Sequence, residues 1–297
     1  MRTVMKWIGR GVLAVVAILV LAAGAVYAVS EQKMSRSYEV DARAVDIPAD
    51  SASIAEGERL ARIYGCYNGC HGEAAEGGLF FDEPMMGTVK APDLTRAART
   101  LSAEELVGVI RYGVRPDGSS VFVMPSVEFY HLTDEDIGAI VAFLRSLPES
   151  DGPATSVKFG PLGRALFAIG EFEPAAPKID PSAPRLEPGD GSDPMALGEY
   201  LAVTACAECH GTDLAGQEHP TGNTPNLAIA AAYSAEEFRT LMRTGEPRDG
   251  RELRLMDDMS LKRFKNLTDG EIAAVHIYLS KGLAGDQASE ASPAATD

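Results

Sequence analysis

Cys206-Ala207-Glu208-Cys209-His210 is the stretch on which the reading of this chain turns. Two thiols at this spacing can add to the two vinyl groups along one edge of a porphyrin, and the histidine beside them reaches the iron from below. Such a Cys-x-x-Cys-His run is the sequence signal for a covalently attached c-type haem. A relative stands upstream, Cys66-Tyr67-Asn68-Gly69-Cys70-His71, with three residues between the thiols instead of two. The two runs use all four cysteines of the chain.

Other uses of these residues fit less well. A structural zinc site normally gathers its four ligands from two knuckles in one domain, whereas these pairs lie about 140 residues apart. Local disulfides, Cys66 to Cys70 and Cys206 to Cys209, leave the histidine after each pair unexplained. A thioredoxin-like pair needs a βαβ context that the flanking sequence does not offer.

Working outward, the chain repeats itself. Ser102-Ala-Glu-Glu-Leu-Val-Gly-Val-Ile-Arg-Tyr-Gly113 returns as Ser234-Ala-Glu-Glu-Phe-Arg-Thr-Leu-Met-Arg-Thr-Gly245, followed in each case by Asp-Gly, at 117 and 118 or at 249 and 250. Gly57-Glu-x-Leu60-Ala61 matches Gly198-Glu-x-Leu201-Ala202 before the cysteine runs. Pro92-Asp93-Leu94 matches Pro225-Asn226-Leu227 after them, and Leu132-Thr133-Asp134 matches Leu267-Thr268-Asp269. Met124 lies eight residues before Leu132, and Met259 eight before Leu267, which puts Met259 ahead of Met256 as the counterpart of Met124.

Within the first half, helical spacing predicts a helix over 53–64, with Ser51 or Ser53 as its cap. Gly77 to Val89 reads as loop, its Met85-Met86 pair as packing material. Ser102-x-x-Glu105 is a capping box for a helix ending at Gly113. A loop then carries Met124 to where it can swing over an open haem face. Thr133 caps a last helix whose Ile137, Ile140, Val141 and Leu144 form one stripe. His131, His219 and His276 have no histidine at the paired position of the other half and read as structural.

The remaining segments organise the chain. Basic residues Arg2, Lys6 and Arg10 precede an uncharged run from Gly11 to Val29, 19 residues long. That length exceeds the roughly 7 to 15 residues of a signal core and approaches a bilayer span. Residues 1–30 are therefore expected to be a membrane anchor, Val26-Tyr27-Ala28 being the alternative cleavage point. The basic flank places the rest of the chain outside the cytoplasm. Residues 31–51 read as a tether and 149–192 as a Pro-rich linker holding an apolar strap, Phe159 to Phe172, for a domain or a partner to cover. The strap has only Lys158 and Arg164 for docking on a membrane surface. Residues 285–297 read as a disordered tail. The net charge of −16 excludes nucleic acid as a partner and suits basic ones.

On these motifs both halves resemble cytochrome c domains, over about 52–148 and 193–284, and the whole resembles a membrane-anchored dihaem c-type cytochrome. The resemblance implies an all-α fold of two tandem cytochrome c domains behind an N-terminal transmembrane helix. It implies two covalently bound haem c groups, one on Cys66 and Cys70, the other on Cys206 and Cys209. It makes His71 and His210 proximal iron ligands, Met124 and Met259 distal ones, and gives Pro92 and Pro225 the backbone carbonyl that receives each proximal imidazole. The wider Cys66 to Cys70 spacing departs from the family pattern and bears on thioether geometry there.

A thioether favours ferrous iron, so histidine and methionine ligation raises the potential, and two filled axial positions leave no place for substrate. The expected role is single-electron transfer from a dehydrogenase or quinol-oxidising complex towards a terminal oxidase or other acceptor. The expected location is the bacterial inner membrane, single pass, with the bulk of the chain in the periplasm. The alternatives are a catalytic dihaem protein such as a peroxidase, with one methionine missing from its iron, and a sensor or assembly module using haem structurally.

Overall fold

The computed structural model describes residues 2–218 and 222–283. The expectations for His219 and for a tail over 285–297 lie outside these. The described chain is mostly helical. Helix α1, Arg2–Met34, is an apolar rod whose large side chains stand exposed along its length. Residues 35–50 do not hang as a tether. They run along the first half, Tyr38 N–H donating to Gly118 O at 2.9 Å and Ser37 bridging Ser119. Val45, 8 % exposed, joins the core, which is why this segment lies down.

Helix α2, Ser51–Ile63, is capped by Asp50 rather than by Ser51 or Ser53, its carboxylate accepting from the Ala52 and Ser53 amides. A charged acceptor at a helix N-terminus gains from the dipole as well as from the bond. The stretch expected as loop over 77–89 is instead a hairpin, β1 Gly78–Glu83 and β2 Gly87–Ala91, with Met85-Met86 in its turn. Helices α3, Leu94–Thr100, α4, Ala103–Tyr112, and the short α5, Ser126–Phe129, follow. The Ser102 capping box forms, and α4 stops where Gly113 adopts φ 65°. Helix α6, Asp134–Ser146, is capped by Thr133 as expected.

The apolar strap covers the hairpin. Strand β3, Ser156–Phe159, pairs antiparallel with β2, giving the order β1-β2-β3, and α7 spans Pro161–Ile169. Phe167 is wholly buried, with the rings of Phe122, Phe159 and Phe172 at 5.8, 5.5 and 6.1 Å. The other face of the strap holds the end of α1: Lys33 Nζ donates to Phe167 O and Ala168 O, and Arg164 pairs with Glu31 at 2.9 Å and stacks over Tyr27. The linker then wraps the first half, Tyr130 Oη donating to Ala183 O at 2.6 Å.

The second half comprises α8, Pro194–His210, α9, Ala235–Thr244, α10, Leu255–Lys262, and α11, Asp269–Ile277. Its ties duplicate those of the first. Gly57 lets α2 cross α6 so closely that a Cβ would stand 1.9 Å from Ala139 O; Gly198 does the same for α8 on α11, 2.1 Å from Ala274 O. Arg111 Nη2 donates to Leu132 O and Asp134 Oδ1, both at 2.7 Å, and Arg243 donates to Leu267 O at 2.6 Å and Asp269 Oδ1 at 2.7 Å.

One hydrophobic core runs through both halves, and the seam between them is nearly two-fold. Arg59 of α2 grips Glu271 of α11 with both terminal guanidinium nitrogens, at 2.8 and 2.9 Å. At the positions that match them, Tyr200 of α8 donates to Asp136 of α6 and receives the Thr133 N–H. The two cysteine runs are brought face to face, with Tyr64 and Thr204 hydroxyls 3.3 Å apart.

Candidate functional site

The second run lies on the last turns of α8, which continues unbroken through Cys206, Cys209 and His210. The first run leaves the helix. Helix α2 ends at Ile63, Gly65 takes φ 72° and Asn68 φ 55°, and the extra residue is absorbed in turns closed by Tyr67 N–H to Ala61 O and Cys70 N–H to Gly65 O.

Both routes deliver the histidine to the same contact. His71 Nδ1 lies 3.0 Å from Pro92 O and His210 Nδ1 2.9 Å from Pro225 O. A carbonyl only accepts, so each ring carries its proton on Nδ1, the arrangement that orients an imidazole for ligation through Nε2. Burial pulls the His71 pKa down, against the opposing effect of its bond to Pro92, so the ring is held neutral.

None of the four cysteines is joined to another in a disulfide. Burial pushes Cys66 and Cys206 up to about 12 and raises Cys70 and Cys209 as well. Among the described residues no group of three or more His, Cys, Asp and Glu is gathered as a metal cluster.

In the first half a cavity of about 260 Å³ is lined by Cys66, Cys70, His71, Pro92 and Met124 together. Its remaining walls are mainly apolar, with Leu106, Ile110 and Phe129 among them, and Glu208 of the second run also reaches it. Two sulfurs, one imidazole and a thioether around one apolar space suit a covalently held iron porphyrin. In the second half Met256 and Met259 both ride on α10 and pack against the core.

Two of the histidines expected to be structural are described, and both have local partners. His131 Nδ1 accepts from Leu186 N–H at 3.1 Å, while His276 binds Tyr233 O at 2.9 Å and stacks on Phe238. Sequence reasoning missed Arg263, which sits between the two runs on Glu208 and Ile63 O. Nothing in the spacing marked it.

Comparison with known proteins agrees with this geometry. Residues 52–144 match the family described as cytochrome c oxidase, cbb3-type, subunit III, and residues 195–282 the family described as cytochrome c. Each half is thus a cytochrome c domain, a fold that binds haem c covalently. Two such domains in one chain support an electron-transfer cytochrome. It is 33 % identical over 185 residues to the cytochrome c subunit of a quinone alcohol dehydrogenase of Gluconobacter oxydans, covering 54 % of this chain and 36 % of that one. It is 25 % identical to the cytochrome subunit of a fructose dehydrogenase of Gluconobacter japonicus, over 78 % of this chain and 53 % of that one. To the cytochrome c subunit of a gluconate 2-dehydrogenase of Pantoea cypripedii it is also 25 % identical, over 82 % and 63 %. The chain therefore spans less than two thirds of the length of each of these curated relatives.

Proposed function

We propose that the chain carries two haem c groups and relays single electrons from a dehydrogenase that docks on it to a downstream acceptor. Cys66, Cys70, His71 and Met124 would hold the first haem, and Cys206, Cys209, His210 and Met259 the second. The haem groups supply one-electron reduction and oxidation of iron. The protein supplies the rest: Pro92 and Pro225 fix the proximal rings, the apolar walls keep water from the iron, and the neutral thioethers favour the reduced state.

The observation that carries this reading is the pair of histidine-to-proline contacts, at 3.0 and 2.9 Å, reached from two differently built runs. The relatives' names support a dehydrogenase as donor. Helix α1 is long and apolar enough to cross a membrane, a test that a signal sequence also passes. In this reading it stays as a single-pass anchor in a bacterial inner membrane, with both domains in the periplasm. The seam that presses the two runs together gives a short path between the haems.

Two measurements test the proposal. Denatured protein should retain two haems by mass, and one haem would remove the first run from the mechanism. Spectra of the reduced protein should be unchanged by carbon monoxide, since both irons are closed; ready binding at one haem would favour a catalytic dihaem protein.

A further inference from the structure

Arg263 caps the C-terminal end of α10, its backbone N–H donating to Met259 O at 2.8 Å. A long cation at such a place ordinarily carries its head to solvent, yet Arg263 is 6 % exposed. It enters the seam between the halves. Its Nε donates to Ile63 O at 2.6 Å, three residues before Cys66, and its Nη1 meets Glu208 Oε2 at 3.1 Å, between Cys206 and Cys209. Gly65 lies against both the guanidinium and the first run: a Cβ there would stand 3.9 Å from Arg263 Cζ and 3.9 Å from Cys70 Sγ. Nη2 has no partner among the described residues.

A guanidinium buried with a donor unmade costs stability, and an apolar side chain would fill the same space at less cost. Packing therefore does not account for it. Burial opposes its charge most, but the Glu208 carboxylate, with smaller help from Cys70 and Cys209, offsets this, so the group stays cationic. With Ile63 O and Gly65 of one run and Glu208 of the other all against the guanidinium, its charge stands beside whatever either run holds.

We propose that Arg263 is a control residue shared by the two haem sites, a fixed positive charge between the attachment runs that favours the reduced state of both irons. The proposal rests on the reading that both runs hold haem. Each reduction adds one electron to a site, and a cation in a seam of low dielectric stabilises the added negative charge. Glu208 works in the opposite sense and tempers it. The repeat puts an acid, Glu128, where the second half has Arg263, so the first haem draws its positive charge from the other domain.

The test is a spectroelectrochemical titration of the full-length holoprotein. Arg263→Gln should lower both midpoint potentials by about tenfold in the one-electron equilibrium constant, about 59 mV each, while Arg263→Lys should restore most of the shift. Glu208→Gln should raise both potentials, an opposite sign that loosened packing does not produce and that stands if Arg263→Gln fails to fold. Unshifted potentials, a shift confined to the second haem, or the same sign for both variants would overturn the proposal. Haem mass in the wild-type protein separates the two claims: one haem fails the dihaem reading, whereas two haems with unmoved potentials fail only the role of Arg263.

Discussion

In the second domain α8 carries Cys206, Cys209 and His210 on one continuous helix, while in the first α2 stops at Ile63 and the chain turns through Gly65 and Asn68 before Cys70 and His71. Both histidines nevertheless end within 3.0 Å of a proline carbonyl. The difference teaches which part of the motif is rigid. The histidine's docking is held fixed, and the thiol spacing varies when the backbone gives up its helical period to absorb one more residue.

The largest expected effect concerns the distal positions. Met124→Ala and Met259→Ala should each abolish the methionine-to-iron absorption of one haem and leave the other, whereas Met256→Ala should spare both. Loss with Met256→Ala and none with Met259→Ala would break the register on which the comparison of the domains depends. Next come the helix crossings. Gly57→Ala and Gly198→Ala force a Cβ to within 1.9 and 2.1 Å of a facing carbonyl, and each should cost about 3 kcal/mol in denaturant unfolding. If one is tolerated, the crossings are not equivalent.

The seam separates the domains more finely. Arg59→Ala, which strips two charge-assisted bonds from Glu271, should cost about 2 kcal/mol, and Tyr200→Phe at the matching place about 1 kcal/mol. Equal losses would mean that the charged and neutral ties carry the same weight. The smallest effect depends on pH. Asp93 caps α3 and Asn226 occupies its place in the second domain. Burial works to raise the Asp93 carboxyl, but bonds from Thr95, Ser150, Arg96 and Gly152 outweigh it and hold its pKa below the usual carboxylate range. Its contribution is complete above the ordinary aspartate pKa and fades as pH falls through the lowered value. Asp93→Asn should cost the first domain about 1 kcal/mol at neutral pH and flatten its acid limb, so that both domains respond to acid alike.

Much of this was legible in the chain. The spacing of Ser102 and Thr133 gave the caps of α4 and α6, and the repeat carried the same bond to Ser234 and Thr268, because a cap is a local bond between residues three apart. The runs and their histidines were equally plain. Other features, besides Arg263 and the packed segment 35–50, were not. The hairpin over 78–91 hid because its apolar stretch, Leu79-Phe80-Phe81, ends in Met85-Met86 without a tight-turn signature. Asp50 was passed over for two nearby serines. The seam was invisible because Arg59 and Tyr200 occupy matching positions with unlike chemistry, and only their shared type of partner, Asp136 and Glu271, reveals the symmetry.

The clamp of α7 upon the end of α1 has a mechanical consequence. A domain on a slack leash samples a hemisphere of orientations; one whose stalk is gripped at Tyr27, Glu31 and Lys33 points one way. With α1 in a bilayer, the first haem would keep a constant height and bearing above the lipid, and a visiting enzyme would have to conform to it.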